Sequence, residues 1–306
     1  MKRLKAASLI TAIKTPYTSS GEVCLTTYDT LISQQIAAGV DGIVVGGTTG
    51  EWHLLSWEEH LMLIAHCVHN FSEKLIIIGN TGSNNTREAI KATENGFANG
   101  MDAALQINPY YGRTSFKGVT EHFKRVLDIG PAFIYNVPGR TGQDLTPEII
   151  EPLARHKNFI GVKECTGNDR IAHYEKQGIA CWSGNDDECY VGRHEFGSHG
   201  VISVSSNIIP GLMRQLMDKD NVTQTTLLNQ QLQNLMSWLF CEPNPIAINT
   251  ALMMTNAVAK NFRLPYQALT LEQRQQGFNL LKALAPDDIV GNELMLLSDD
   301  DFHYCA

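Results

Sequence analysis

The sequence has no excess of positive charge and no long apolar run. Its 24 lysines and arginines are outnumbered by 32 aspartates and glutamates, which leaves a formal net charge of −8 at pH 7. A nucleic acid backbone or an anionic membrane surface needs a basic field, so we expect neither among the partners. The densest apolar run, residues 75–78, has the size of a strand and falls well short of the ~18 residues that a membrane span requires.

Sequence motifs of several common enzyme classes are also missing. There is no Gly-x-Gly-x-x-Gly or Gly-x-x-x-x-Gly-Lys-Ser/Thr phosphate loop, and no Gly-x-Ser-x-Gly nucleophile elbow. The seven cysteines include no Cys-x-x-Cys pair, and the four histidines of residues 53–69 have no carboxylate at a metal-ligand spacing. These absences argue against nucleotide-phosphate binding, a serine-hydrolase triad and a metal site.

The pattern that is present predicts an α/β barrel. Hydrophobic residues make up 43% of the chain, which is enough for a sizeable core. Short β-branched runs alternate with helix signals, and they are apolar on both faces, as parallel strands covered by helices require. We place eight strands at residues 7–13, 42–46, 74–79, 102–107, 132–136, 159–163, 180–183 and 200–204. Eight strands, each followed by a helix, predict a (β/α)8 TIM barrel over residues 1–220.

The pattern changes after residue 220. No strand-like run remains, and residues 227–240, 245–258 and 271–284 have helical periodicity. A C-terminal α-helical segment is therefore predicted over residues 221–306, and residues 298–301 are predicted to be a solvated acidic tail.

In a barrel of this kind the active site lies at the carboxyl ends of the strands. Lys163 closes an otherwise apolar strand there, and burial would lower its pKa and supply the free amine that attacks a carbonyl. The alternative is a lysine that pairs with Glu164 or extends out of the barrel mouth. Tyr135 lies near the end of the preceding strand at the same level and can carry protons, which favours the catalytic interpretation.

Other polar side chains follow neighbouring strands. Thr48 and Tyr111 could join Tyr135 in a chain of hydroxyls that moves protons to solvent, although each alone is more often a lining residue. Arg140, on a Pro-Gly turn, could bind a substrate carboxylate with both guanidinium nitrogens, or form a surface ion pair. Together they favour chemistry on a small molecule.

Four motifs stand at these strand ends. They are Gly47-Thr48-Thr49-Gly50-Glu51, Tyr135-Asn136-Val137-Pro138-Gly139-Arg140-Thr141-Gly142, Gly161-Val162-Lys163-Glu164 and Gly200-Val201-Ile202-Ser203. The sequence that carries them resembles the dihydrodipicolinate synthase/N-acetylneuraminate lyase family of pyruvate-dependent class I aldolases. Within this family it is similar to the plant-type synthase branch in the segments 78–83, 182–187, 242–246 and 262–266. Arg140 and Tyr111 favour a synthase, because the sialic acid lyase branch typically lacks both.

The resemblance implies a Schiff-base condensation of pyruvate with L-aspartate 4-semialdehyde, the first committed step of lysine and diaminopimelate biosynthesis. Lys163 would form the imine, and no cofactor or metal would be needed. Tyr135, Thr48 and Tyr111 would relay protons, with Tyr111 reaching in from a neighbouring subunit of a homotetramer.

Substrate binding is also implied by the resemblance. Arg140 would hold the carboxylate of the semialdehyde. The backbone at Thr48, Thr49 and Ile202 would bind the pyruvate carboxylate through amide donors.

In feedback-inhibited members of the family, L-lysine binds at a subunit interface. The matching positions in this chain are Asn84, Glu88, Tyr110, His60, Trp57, Trp52 and His53. A carboxylate such as Glu88 suits an ammonium group, and Tyr110 adjoins the relay residue Tyr111. Trp52 and His53 stand where the family has small residues, and the indole could narrow the cleft, so inhibition by lysine is left open.

Two other functions also stay open. Another pyruvate-dependent aldolase, such as a sialic acid or sugar-acid lyase, would use the same lysine. A non-catalytic barrel that senses a metabolite would require a broken set of residues. The apolar stretch after the basic start ends at Lys14 without a cleavage pattern, and no Ser/Arg-rich transit segment stands before the first strand. We therefore expect a cytoplasmic location, or the plastid stroma for a plant or alga.

Overall fold

The computed structural model describes residues 2–305, and its main feature is a closed barrel of eight parallel strands. The strands are β1 (Leu9–Ala12), β2 (Gly42–Val45), β3 (Ile76–Asn80), β4 (Ala103–Ile107), β5 (Ala132–Asn136), β6 (Phe159–Glu164), β7 (Cys181–Ser183) and β8 (Gly200–Ser203). Every residue in them is buried, as expected for strands with two apolar faces. The predicted TIM barrel is confirmed, and each observed strand overlaps its predicted position.

Helices follow the strands throughout. They are α1 (Lys2–Ala6), α2 (Leu25–Ala37), α3 (Trp57–Phe71), α4 (Thr86–Ala98), α5 (Phe116–Leu127), α6 (Pro138–Thr141), α7 (Pro147–Ala154), α8 (Asn168–Lys176), α9 (Cys189–His194), α10 (Pro210–Leu216), α11 (Val222–Trp238), α12 (Ile246–Met254) and α13 (Leu271–Lys282). Ser56 and Glu59 form the reciprocal hydrogen bonds of a capping box at the start of α3. None of the described helices is both long enough and apolar enough to cross a bilayer.

The contacts within the described chain form two compact units. Unit 1 contains the chain up to Ile10, Asp41–Val45 and His60–Ser203, whereas unit 2 contains Thr11–Val40, Gly46–Glu59 and the chain from Val204 onward. Unit 1 therefore holds most of the barrel strands, and unit 2 holds α2 and the C-terminal helices. The predicted division of the chain after residue 220 stays a prediction.

The C-terminal part of unit 2 contains the three predicted helices, α11 to α13, and two strands that were not predicted. These strands, β9 (Asn261–Arg263) and β10 (His303–Cys305), pair in parallel as a separate sheet. The expectation that no strand follows residue 220 was therefore wrong. The predicted acidic tail, residues 298–301, is exposed. It is also attached to the rest of unit 2, because Asp299 accepts a 2.5 Å hydrogen bond from the buried Arg274 guanidinium.

Candidate active site

Lys163 lies near the carboxyl end of β6, directly beside Tyr135 on β5. The two residues are register partners across the parallel strands. Lys163 Nζ lies 4.4 Å from the centroid of the Tyr135 ring, and each residue is 6% exposed. The structure thus brings together the predicted nucleophile and one member of the predicted proton relay.

Burial determines the protonation of Lys163. Removal of the amine from water lowers its pKa, the positive charge of Arg140 lowers it further, and the Asp186 carboxylate opposes the shift. Cys165 is close as well, but burial raises the pKa of its thiol to about 11, so it carries no charge near neutral pH. Lys163 forms no ion pair with any residue that the structure describes. The neutral amine, which is the form that attacks carbonyls, is therefore easier to form than at a lysine in water.

Glu164, the next residue along β6, directs its side chain to other partners. Asn136 Nδ2 donates to its two carboxylate oxygens at 3.0 and 3.1 Å, and the Thr166 amide donates at 2.9 Å. Burial raises the pKa of the Glu164 carboxyl. The alternative interpretation, a Lys163 that pairs with Glu164 or extends into solvent, is contradicted by these contacts.

Gly184, which follows β7, leaves room for the lysine side chain. A Cβ atom at this position would lie 3.1 Å from Lys163 Cε and 2.2 Å from Cys165 Sγ. Any side chain there would displace both groups, which makes Gly184 part of the site. No local sequence signal marks this glycine, because the requirement arises where the ends of two neighbouring strands approach each other.

Arg140 and Tyr111 are exposed residues of unit 1. Arg140 lies in the short helix α6 that follows β5. Tyr111 lies in the loop after β4, where it is 96% exposed and has a left-handed backbone with φ of 68°. Because a tyrosine in this state buries almost nothing within its own chain, packing inside the chain does not explain its conformation.

Thr48 and Thr49 lie in the loop of residues 46–51 that follows β2, which we call the threonine loop. Thr49 is buried, and its hydroxyl accepts a 3.2 Å hydrogen bond from Asn244 Nδ2. Thr48 is half-buried, and its carbonyl oxygen accepts from the Glu51 amide at 3.1 Å. Ile202 is fully buried within β8 in unit 1, which suits a role for its backbone rather than its side chain.

A second buried lysine, Lys14, was not among the predicted site residues. It follows β1 and forms an ion pair with Glu51 of the threonine loop, and both side chains are 1% exposed. Asn249 Nδ2 in α12 donates to the same Glu51 oxygen at 2.5 Å. Lys14 closes an apolar strand as Lys163 does, so the sequence does contain a signal for it.

Four of the residues predicted to bind L-lysine belong to unit 1. Asn84 is exposed at the surface, and Glu88 is half-buried in the first turn of α4. Burial raises the pKa of Tyr110, although hydrogen bonds from Asn84 and Ser83 oppose the rise. His60 is 1% exposed, and burial lowers its pKa to about 4, so its imidazole is neutral at physiological pH.

The other three residues of that predicted site belong to unit 2. Trp52 and Trp57 are half-buried, whereas His53 is exposed and its Nε2 lies 2.8 Å from the Tyr266 hydroxyl. The assembly of all seven residues into one lysine site stays a prediction.

The groups described above are amines, hydroxyls, carboxylates and one guanidinium. Among residues 2–305, no three His, Cys, Asp or Glu side chains lie close enough together to hold a metal ion. The expectation that no cofactor or metal takes part stays a prediction.

Comparisons with known proteins point to one family. The sequence model of the dihydrodipicolinate synthetase family matches residues 5–284. The chloroplastic 4-hydroxy-tetrahydrodipicolinate synthase of Nicotiana tabacum is 53% identical over 300 residues, which cover 98% of this chain and 83% of that protein.

Two solved structures are similar throughout. The chloride-inhibited dihydrodipicolinate synthase of Acinetobacter baumannii, complexed with pyruvate, has a TM-score of 0.86 and 35% identity, and the match covers 90% of this chain and 98% of that one. The enzyme of Cyanidioschyzon merolae with lysine bound has a TM-score of 0.86 and 30% identity, with 91% and 98% coverage.

Proposed function

The chain belongs to the dihydrodipicolinate synthetase family, and we propose that it condenses pyruvate with L-aspartate 4-semialdehyde through an imine on Lys163. Its enzyme class is that of a lyase of the class I aldolase type. The observation that carries the proposal is the Lys163 amine, which is buried against Tyr135, has a lowered pKa and makes no ion pair with residues 2–305. A lowered pKa makes more of the free amine, the form that attacks a keto carbonyl, available at a given pH.

The reaction follows from the chemistry of that amine. Lys163 Nζ adds to the keto carbon of pyruvate, and water leaves to give a protonated imine. The imine draws electrons from the adjacent methyl group, which loses a proton to give an enamine. The enamine carbon attacks the aldehyde carbon, and the aldehyde oxygen takes up a proton. The amino group of the second substrate then adds to the imine carbon, the ring closes, and Lys163 leaves as the free amine.

Proton transfer requires hydroxyls beside the imine. Tyr135 is the first member of the proposed relay, because its ring lies against Lys163 Nζ. Thr48 and Tyr111 complete the relay. Since Tyr111 is 96% exposed within its own chain, we assign its hydroxyl to the site of a neighbouring copy in a homotetramer. Activity would then depend on subunit contact.

Both substrates carry carboxylates, whereas the chain carries a net charge of −8. Local donors must therefore bind these groups. We assign the carboxylate of the semialdehyde to the Arg140 guanidinium. The pyruvate carboxylate is assigned to the backbone at Thr48, Thr49 and Ile202.

Trapping of the imine tests the central assignment. Incubation with pyruvate followed by borohydride reduction should leave a stable adduct, which peptide mass spectrometry should map to Lys163. The Lys163→Arg variant should carry no adduct. The control Lys157→Arg, which changes an exposed lysine after α7, should be labelled like the wild type. An adduct on a different lysine would contradict the proposal.

Other pyruvate-dependent aldolases form the same imine, so the aldehyde partner distinguishes the substrate class. We expect condensation with L-aspartate 4-semialdehyde and none with sugar aldehydes, measured as product formed at equal pyruvate concentration. Preferential use of a sugar aldehyde would instead assign the chain to the sugar-acid lyases.

We also propose that L-lysine binds to the positions Asn84, Glu88, Tyr110, His60, Trp57, Trp52 and His53. A structure of the Cyanidioschyzon merolae enzyme with lysine bound supports the proposal, as does the Glu88 carboxylate, which suits an ammonium group. Because His60 is neutral near pH 7, it would not repel the cationic ligand. Titration of the activity with L-lysine tests this, and a flat curve together with no calorimetric heat would contradict it.

The location and the functional division of the chain are further proposals. The plant relatives are named as chloroplastic, so we propose the plastid, the alternative to the cytoplasm. Fractionation of source cells, with the enzyme followed by immunoblot, tests this.

We retain residue 220 as the end of the catalytic part, because every residue assigned above to the reaction precedes it.

A further inference from the structure

The threonine loop ends on a buried residue with an uncommon backbone. Glu51 is left-handed, with φ of 59° and ψ of 36°, and is 1% exposed. Glycine adopts this conformation readily and glutamate rarely, so it persists only where surrounding contacts hold it. Gly50 is confined as well, because a Cβ atom there would lie 2.9 Å from the Ile13 carbonyl oxygen and 3.1 Å from Gly46 Cα.

The Glu51 carboxylate is held mainly through one of its two oxygens. Oε1 accepts from the Lys14 ammonium and from Asn249 Nδ2. Oε2 is buried and has no hydrogen bond of acceptable geometry among residues 2–305. The Tyr17 phenol is a further neighbour of this carboxylate, since burial, the Glu51 charge and a hydrogen bond to Glu51 all raise the pKa of Tyr17. The carboxylate is thus removed from water and held by side chains from the segment after β1 and from α12.

Further hydrogen bonds fix the other residues of the loop and its partner lysine. Thr15 Oγ1 donates to the Gly50 carbonyl oxygen at 2.8 Å, and Asn244 Nδ2 donates to Thr49 Oγ1 at 3.2 Å. Asn207 Oδ1 accepts from the Lys14 amide at 3.0 Å. The loop is therefore anchored on two sides, by the segment after β1 and by residues at and before the start of α12.

A contribution to stability alone does not explain this arrangement. Desolvation of two charges opposes the attraction between them, and apolar residues of similar volume often stabilise a protein as well as a buried ion pair does. Lys14 and Glu51 are instead well placed to specify one conformation, because the ion pair closes the end of a strained loop.

We propose that Lys14, Glu51 and Asn249 are positioning residues that hold the threonine loop in the geometry needed for turnover. The inference rests on the proposed function, in which Thr48 relays protons and the backbone of Thr48 and Thr49 binds pyruvate. It extends the functional set to α12, in the C-terminal segment, which holds none of the predicted catalytic residues.

Lys14 also compensates the negative charge of Glu51. Glu51 lies two residues after Thr49, so its negative charge would disfavour an anionic substrate at the Thr49 backbone. The Lys14 cation neutralises that charge. Loss of Lys14 alone should therefore weaken pyruvate binding, whereas loss of both charges should not.

Asn249→Leu tests the positioning without a change to any reacting group. We expect kcat/KM for pyruvate to fall about tenfold, since displacement of a catalytic group by about 1 Å can cost a hundredfold. Thr250→Val is the matched control, because Thr250 is the next residue of α12, is fully buried, and bonds to Ile246 O and Leu269 N rather than to the loop. We expect a similar drop in the thermal midpoint but near-normal kcat/KM. Equal kcat/KM in the two variants would overturn the proposal.

A pair of charge variants tests the role of Lys14. In Lys14→Met the KM for pyruvate should rise about tenfold, because the Glu51 charge is left uncompensated. In Lys14→Met combined with Glu51→Gln, KM should return towards the wild-type value, because the glutamine side chain is uncharged and can still accept from Asn249. A KM that stays high in the double variant, with the protein folded by circular dichroism, would overturn the charge-compensation argument.

Borohydride trapping separates failure of this inference from failure of the proposed function. If the wild type gives no adduct on Lys163, the proposed reaction is wrong whatever the variants do. If the wild type is labelled on Lys163 and Asn249→Leu behaves like Thr250→Val, only the positioning role is wrong.

Discussion

Two lysines close buried strands of this chain, and their surroundings differ in one respect. Lys14 follows β1 and is 1% exposed, and Lys163 lies near the end of β6 and is 6% exposed. Burial lowers the pKa of both amines. Glu51 opposes the shift at Lys14 through its charge and a hydrogen bond, whereas Lys163 lies against the Tyr135 ring and forms no ion pair with the described residues.

The difference shows that burial alone does not make a lysine a nucleophile. A buried carboxylate beside an amine compensates its charge in part, which opposes the effect of burial on the pKa of the amine. A buried amine without such a partner is more costly to charge, so its neutral form is easier to reach than that of a lysine in water. Lys14 should therefore matter most for conformation and stability, and Lys163 for chemistry.

Replacement of Lys163 by methionine should have the largest effect and separates the two roles. We expect kcat/KM to fall about a thousandfold or more, because the nucleophile is removed. The free energy of unfolding in urea should stay the same or rise, because methionine fills similar space without a buried amine. An active Lys163→Met enzyme would contradict the assignment of the two lysines.

The corresponding change at the other lysine should mainly affect stability. Lys14→Met leaves the buried Glu51 carboxylate without its cation, and we expect a loss of about 3–5 kcal/mol in the free energy of unfolding. Lys14→Met combined with Glu51→Leu should recover most of this loss, because no buried charge remains. Equal free energies of unfolding in urea for Lys14→Met and Lys163→Met would contradict the difference we assign to the two lysines.

Tyr111→Phe sharpens the comparison by testing how protons leave the Lys163 site. We expect kcat to fall about a hundredfold, the usual size of an acid–base contribution, with little change in the KM for pyruvate. Tyr304→Phe removes the hydroxyl of another exposed tyrosine, on β10, and should leave both constants near the wild-type values. Equal loss of turnover and pyruvate binding in Tyr111→Phe would indicate an assembly defect instead.

Much of the fold could be predicted from the sequence because the signals are local. The eight barrel strands are short, mostly apolar runs that are buried on both faces, and all eight are present close to the expected positions. The pairing of β9 with β10 could not be predicted in this way. Each strand has only three residues of mixed character, such as Asn261-Phe262-Arg263, and the partners lie about 40 positions apart in the sequence.

Prediction of the site is limited in the same way, because contacts between residues distant in the sequence leave no local signal. Lys163 was identified because a lysine that ends an apolar strand is unusual, yet Lys14 carries the same signal. The two lysines differ because Glu51 pairs with Lys14 from 37 positions along the sequence. Glu51 is in turn bonded by Asn249, which lies 198 positions further on. Gly184 depends in the same way on the approach of Lys163 and Cys165, which only the closed barrel specifies.

The smallest effect we expect, for a change of one pH unit, is a difference in the pH dependence of stability between the wild type and Lys163→Met. Because the pKa of Lys163 is lowered in the folded chain, the folded protein binds fewer protons than the unfolded chain between that lowered pKa and the ordinary lysine value of 10.5. Wild-type stability therefore rises relative to the variant as pH increases through this window, by at most about 1.4 kcal/mol per pH unit. Urea unfolding of both proteins from about pH 7 to about pH 10 measures the difference. A constant difference would mean that Lys163 titrates alike in both states, which would remove the physical basis for treating it as the free amine.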